Sequence, residues 1–168
     1  MTTLLLVRHG ETVDNARQIM QGQTPGQLNE VGISQAQQLR NELAGQSIDV
    51  FMASDLHRAI QTATILAEPH HLDVLTTPLL RERDWGGFTG RFIPELKNEV
   101  WPDDIESLDH MMQRAQRFLD MLKQQYDGKV ILAVGHGIMN KAIQAVYHHK
   151  PMTEIPRMAN AEVRRLEL

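Results

Sequence analysis

Val7-Arg8-His9-Gly10-Glu11-Thr12 places an arginine, a histidine and a glycine where an apolar run, Leu4 to Val7, stops. Open α/β sheets bind ligands in the crevice beyond the carboxyl ends of their strands, so a cation beside a nucleophilic imidazole there points to anion chemistry. An Arg-His pair after a strand is also an ordinary solvated loop, and the pair alone does not separate the two readings. Three further stretches repeat the arrangement at the edge of an apolar segment: Ser54-Asp55-Leu56-His57-Arg58-Ala59, Leu80-Arg81-Glu82 and Val134-Gly135-His136-Gly137. With Asn15 they bring together Arg8 and Arg58, His9 and His136, an amide and the Glu82 carboxylate.

In these motifs and their order, from residue 3 to about residue 145, the chain resembles the histidine phosphatase superfamily, in its phosphoglycerate-mutase-like branch. The resemblance implies that His9 forms a transient phosphohistidine, that Arg8, Asn15, Arg58 and His136 bind the phosphoryl group, and that Glu82 is the acid and base. It implies no metal and no organic cofactor. Gln21 and Gly22 match the loop that contacts the rest of the substrate. Two stretches depart from the family pattern. Pro25-Gly26-Gln27-Leu28-Asn29 stands where Asp-x-Pro-Leu-Thr is frequent, and Thr89 stands where a glutamate is common. Both fall where substrate choice is set.

The chemistry of each group agrees with those roles. Phosphoryl transfer needs a positioned nucleophile, cations around the non-bridging oxygens and a proton source for the leaving group. A neutral imidazole offers one free nitrogen for in-line attack when the other is held protonated, and the carbonyl near Gly10 is a candidate acceptor. Gly10 would let backbone approach the substrate, with the following N–H groups aimed at phosphate oxygens. Guanidinium groups match two oxygens at once, which assigns Arg8 and Arg58 to the phosphate; a surface ion pair is the rival for Arg58. His136, between two glycines, reads as an exposed donor, best as imidazolium, with a core histidine as the rival. Asn15 is also a common turn or capping residue. Glu82 lies in a charged run, Arg81-Glu82-Arg83-Asp84, that leads to a pocket wall at Trp85-Gly86-Gly87-Phe88. Neighbouring residues in an extended segment face opposite ways, so the flanking arginines need not point at Glu82.

The elements that position these groups follow from periodicity. Short apolar runs alternate with helical segments, the pattern of a mainly parallel α/β sheet. Strands are expected at Thr3 to Arg8, Val50 to Ala53, Val74 to Thr76 and Val130 to Val134, with Val163 to Leu168 as an edge strand. Asn29 is expected to cap a helix ending near Ala44, and Ser54 or Asp55 the next, which Pro69 bounds. Leu108, Met111, Met112, Ala115, Phe118, Leu119, Leu122 and Tyr126 form one apolar helix face, where methionines read as core. A further helix begins at Gly137 or Ile138 and reaches His148. The expected whole is a single domain over 1–168, a three-layer α/β/α fold with a mainly parallel sheet and a small helical lid at about 86–106.

Composition bounds the function. A length of 168 residues matches one domain with a real core. No run approaches the roughly 18 apolar residues of a membrane helix, and the opening run lacks a basic signal-peptide start. The absence of cysteine excludes a thiol nucleophile or thiolate metal site and fits a cytoplasmic address. A formal charge of -4 without a basic run argues against nucleic acid as a partner. A small phosphorylated metabolite is the expected partner; oligomeric state is not encoded in any pattern found. His70-His71 and His148-His149 are poor chelators because adjacent side chains diverge.

Residues 83–135, between Glu82 and His136, number 53, and the chain stops soon after the last strand. Larger mutases of the family carry a longer insertion and tail that exclude water. Their lack here favours a phosphomonoesterase, because an open pocket lets water take the phosphohistidine. Phosphoglycerate mutase and a non-catalytic phosphate-ester binding module are the alternatives.

Overall fold

A computed structural model describes residues 1–168. Five strands form one sheet: β1 (Thr3–Arg8), β2 (Val50–Ser54), β3 (Val74–Thr77), β4 (Val130–Gly135) and β5 (Val163–Glu167). Their order is β3-β2-β4-β1-β5, with β1, β2, β3 and β4 mutually parallel and β5 antiparallel on the β1 edge. The helices are α1 (Val13–Arg17), α2 (Glu30–Leu43), α3 (His57–Ala67), α4 (Leu108–Gln125) and α5 (Gly137–His148). The expected strands are present to within a residue at each end.

The unbroken apolar run in β1 follows from burial on both faces, as in parallel sheets with helices on each side. Leu4 and Leu6 pack with Ile131, Ala133 and the buried faces of α4 and α5. Leu5 and Val7 point the other way, toward Phe51, Ala53, Leu132 and residues of α2 and α3. The chain therefore leaves β1 toward the α2 layer and β4 toward the α5 layer, and these neighbouring strands diverge at their carboxyl ends. That divergence opens the crevice in which α/β sheets hold ligands.

Local signals explain most boundaries. Asn29 caps α2 by accepting from the Gly32 N–H, and Ser107 caps α4 by accepting from the His110 N–H. The expected cap on α3 is absent. Its first residue follows Leu56, which has no side-chain cap, because Ser54 and Asp55 are both engaged elsewhere. Leu108 belongs to the expected apolar face of α4 but is 45% exposed in its first turn, whereas Arg114 is buried on that helix. Segment 86–106 carries only two 3₁₀ turns, Gly86–Phe88 and Ile93–Leu96. It is tied to the loop after α1 by Met20 N–H to Arg91 O, Gly90 N–H to Met20 O and Ile93 N–H to Gln18 O, at 2.8–2.9 Å.

Candidate functional site

Pairing of β1 with β4 builds the floor of the site. Arg8 is opposite Gly135, and the His9 N–H donates to Gly135 O at 3.2 Å. His9 and His136 thus emerge side by side, their ring centroids 5.1 Å apart in an edge-on arrangement. Asn140 fastens the two strand ends by donating to Val7 O at 3.1 Å, and its side chain fills the space a Cβ on Gly135 would occupy.

His9 is buried, and its Nδ1 lies 2.7 Å from the carbonyl oxygen of its neighbour Gly10. A carbonyl only accepts, so Nδ1 carries the proton and Nε2 keeps its lone pair. Burial, together with the charges of Arg58 and Arg8, pushes the imidazole pKa down to about 3. The free protein therefore holds His9 neutral. Gly10 serves the fold rather than the substrate. A Cβ there would meet the Gly32 carbonyl oxygen at 2.6 Å, and the Gly10 N–H donates to Thr62 Oγ1. The next two N–H groups, of Glu11 and Thr12, donate to Gln35 and Asn15, so the expected backbone anion nest after His9 is already spent.

His136 differs from the sequence expectation. It is fully buried, and burial, followed by the charges of Arg58, His9, Arg8 and Arg114, lowers its pKa well below the ordinary histidine value. The Gly-His-Gly context does not expose the ring, because Ser54 Oγ sits 2.6 Å from its Nε2. Ser54 Oγ also accepts from the Leu56 N–H and keeps a second lone pair as well as its own proton, so its bond to Nε2 is compatible with either tautomer of the ring, while Nδ1 is buried without a partner.

A cavity of about 320 Å³ opens above this floor. Among its walls are Arg8, His9, Asn15, Gln21, Gly22, Arg58 and Glu82, so seven of the eight residues singled out in the sequence share one space; His136 lies beneath it. The Arg8 Nη1 donates to Met158 O at 2.8 Å, and its Nε is buried without a partner. Arg58 uses Nη1 and Nη2 on the carbonyls of Thr24 and Gly22, at 2.5 and 2.8 Å, and again leaves Nε free. Burial lowers both arginines, Arg58 to about 10, where it remains charged at neutral pH. Asn15 takes part in a capping box with Thr12 through its Oδ1, which leaves the amide N–H₂ unused. Gln21 Oε1 accepts from Thr12 Oγ1 at 2.9 Å.

Glu82 is fixed by backbone donors. Its Oε1 accepts from the N–H groups of Arg83 at 2.8 Å and Met139 at 3.1 Å, and Oε2 from that of Ile138 at 3.1 Å. The carboxylate thus meets the first turn of α5, where unsatisfied N–H groups favour negative charge. The flanking arginines turn away. Arg81 holds Asp55 in a two-pronged pair at 2.6 and 2.7 Å, and Arg83 stacks 4.7 Å from the centre of the Trp85 ring.

Several wall residues were not read from the sequence. Ile19, Met20, Ile93 and Ile138 add apolar surface beside Trp85, while Lys141 and Arg157 add charge. Behind the wall, Arg114 donates to the carbonyls of Leu79 and Arg81 at 2.9 Å and grips Glu106 through Nε and Nη2 at 2.8 and 2.9 Å. Burial alone would raise the Glu106 carboxyl, but hydrogen bonds from Arg114, the Asp84 N–H and His110 outweigh it and hold the pKa low. Only the burial of a charged residue on an apolar helix face hinted at this clamp, and the sequence pattern conceals burial.

The chain belongs to the histidine phosphatase superfamily, branch 1, whose model matches residues 4–168. An uncharacterized phosphatase of Bacillus subtilis, PhoE, is 33% identical over 172 residues, covering 99% of this chain and 89% of the relative. A probable phosphoglycerate mutase of Yersinia pestis, GpmB, is 34% identical over 152 residues, 82% of this chain and 71% of that protein. The solved structure of a putative alpha-ribazole-5'-P phosphatase of Escherichia coli superposes with a TM-score of 0.90 at 28% identity, covering 100% of this chain and 91% of that one. No helix is long and apolar enough to cross a membrane.

Proposed function

We propose that the protein is a phosphomonoesterase that hydrolyses a small phosphorylated metabolite through a phosphohistidine on His9. The observation that carries this reading is the His9 ring: Nδ1 is committed to Gly10 O, and the ring lines a cavity shared with Arg8, Arg58 and Glu82. Nε2 attacks phosphorus while Arg8, Arg58, Asn15 and His136, in the tautomer that places its proton on the unpartnered Nδ1, hold the non-bridging oxygens. Charge-assisted donors of this kind, prepositioned and sheltered from water, stabilise the developing negative charge.

Glu82 protonates the leaving alkoxide. Its Oε1 already accepts two N–H groups and Oε2 one, so Oε2 has the spare lone pair for the proton. In the second step the carboxylate removes a proton from water, the hydroxide displaces His9 from phosphorus, and phosphate leaves with the neutral histidine restored. No step asks for a metal or an organic cofactor. Segment 86–106 acts as one wall of a single domain, and Gln21 and Gly22 contact the leaving group.

Hydrolysis is favoured over mutase chemistry because segment 86–106 contributes short 3₁₀ turns rather than a closing helix. The relatives named as probable mutases keep the second reading alive. Phosphate release from a panel of phosphorylated metabolites, with EDTA present, tests both. Turnover that resists EDTA and falls by a factor on the order of 10⁴ or more in His9→Ala is expected. Isomerised phosphoglycerate without free phosphate would mean a mutase, and tight ester binding without turnover a binding module.

A further inference from the structure

We infer that Ser54 is a positioning residue: its hydroxyl donates to His136 Nε2 and so commits the proton of that ring to Nδ1, where it meets the phosphoryl group. The inference rests on the phosphatase reading and adds to it the residue that sets one of the oxygen-binding donors.

Topology delivers Ser54 to this place. β2 runs parallel to β4 with Ala53 opposite Val134, so the last residue of β2 comes level with the exit of β4 at Gly135 and His136. Side chains alternate along a strand. Phe51 and Ala53 belong to the core under α2 and α3, and Met52 to the core under α4 and α5. Ser54 therefore faces the α5 side, where His136 stands at the start of that helix. Both residues are fully buried, and Oγ lies 2.6 Å from Nε2.

Proton accounting selects the tautomer. Ser54 Oγ bonds to two groups, the Leu56 N–H, which can only donate, and His136 Nε2. If Nε2 carried the ring proton, Oγ would accept from both, the hydroxyl proton would have no acceptor, and Nδ1 would be a bare lone pair. Two buried groups would then be unsatisfied. With the ring proton on Nδ1, the hydroxyl donates to Nε2 and only the Nδ1–H lacks a partner. Buried polar groups without partners are costly, so the arrangement with one orphan prevails over that with two. An imidazolium would strand the hydroxyl proton again, and burial with the charges of Arg58, His9, Arg8 and Arg114 already opposes it.

The remaining orphan is the useful one. The nitrogens of an imidazole point apart, so the bond to Ser54 turns Nδ1 away from β2 while the ring stays edge-on to His9. Arg8 Nε and Arg58 Nε, on residues lining the cavity, are buried without partners in the same way. A protonated Nδ1 joins them as a donor for phosphoryl oxygen, whereas a bare Nδ1 would set its lone pair against one. Which imidazole nitrogen carries the proton is decided by the bond the other makes, and here that bond is to Ser54.

Long-range 1H–15N NMR of protein labelled with 15N-histidine reads the tautomer directly, because bare and protonated ring nitrogens resonate far apart, and His136→Gln identifies the peaks. A bare Nε2 and a protonated Nδ1 are expected for His136 in the natural protein, both free and with inorganic phosphate. Ser54→Ala is expected to mix the tautomers and to weaken phosphate binding by about 10–10²-fold. It should lower kcat/KM by a similar factor for p-nitrophenyl phosphate and for esters with poor leaving groups alike. Ser54→Thr, which keeps the hydroxyl, is expected to restore the single tautomer and most of the activity. A protonated Nε2 in the natural protein overturns the inference, as does an unchanged tautomer and phosphate affinity in Ser54→Ala, or a loss that a folded Ser54→Thr fails to recover. The spectrum of the free natural protein decides the tautomer even if a variant does not fold. Turnover of p-nitrophenyl phosphate by the natural protein judges the phosphatase reading separately, since the tautomer is read without turnover.

Discussion

The floor of the cavity and its outer wall are built by opposite rules. On the floor, Arg8, His9, Arg58 and His136 are nearly inaccessible, and each is held by a named backbone or side-chain partner. On the wall, Ile93 is 44% exposed, Trp85 is half-buried, and Lys141 and Arg157 have no ion-pair partner. The floor spends its burial on fixing one imidazole tautomer and two cations, which suits a reaction centre common to every phosphate ester. The wall leaves its groups free to answer to the ester's other half. Substitutions on the floor should then slow all substrates alike, and those on the wall should discriminate among them.

Glu82 stands at the border between the two and gives the widest split. Glu82→Gln is expected to slow esters with poor leaving groups by about 10²–10⁴, the usual contribution of a general acid, while p-nitrophenyl phosphate is slowed far less. Steady-state kinetics on both ester types measures it, and equal slowing would remove Glu82 from the acid role. Arg58→Lys sharpens the floor side of the comparison. It keeps the charge but loses the fork that spans the 22–24 loop, and a uniform loss of about 10²–10³ in kcat/KM across the panel is expected.

Arg114 never touches the cavity, yet it clamps the carbonyls that lead into Glu82. Arg114→Met should let that segment drift and cost about tenfold on poor leaving groups, well within what a small misplacement can do. p-Nitrophenyl phosphate should be spared, a split that general loss of stability would not produce. Non-additivity with Glu82→Gln would tie the effect to that carboxylate.

The smallest effect concerns stability. Unfolded His9 binds a proton below its ordinary pKa of 6.5, whereas the folded protein resists it until about 3. Between those values the unfolded state holds more protons, so stability falls as pH drops, by about 1.4 kcal/mol per pH unit for this group. Urea denaturation across that window should show the slope, and His9→Asn should reduce it by that amount. His136, also lowered, adds in the same direction.

Much of the floor was legible in the sequence because its groups are tied to strand ends, and strand ends announce themselves where apolar runs stop. Arg8 and Gly135 pair because their strands do, and each histidine follows from its strand. Burial was not legible. His136 between glycines looks exposed, and only the approach of Ser54, 82 residues away, shows why it is not. Gly10 looks like a gap left for a ligand until Gly32 fills it. Lys141 and Arg157 look like surface cations, since nothing local marks which face of α5 meets a cavity made mostly by other segments. Arg114 and Glu106 are eight residues apart and paired across a helix start, beyond the reach of periodicity alone.

The central claim is the covalent role of His9. During turnover of a phosphate ester the natural protein should be quenched in alkali, where phosphohistidine survives, and its peptides analysed by mass spectrometry. One phosphoryl group on the peptide containing His9, lost on mild acid treatment and absent from His9→Ala, is the predicted result. Steady turnover with no phosphorylated His9 at any quench time, or undiminished turnover in His9→Ala, would contradict it.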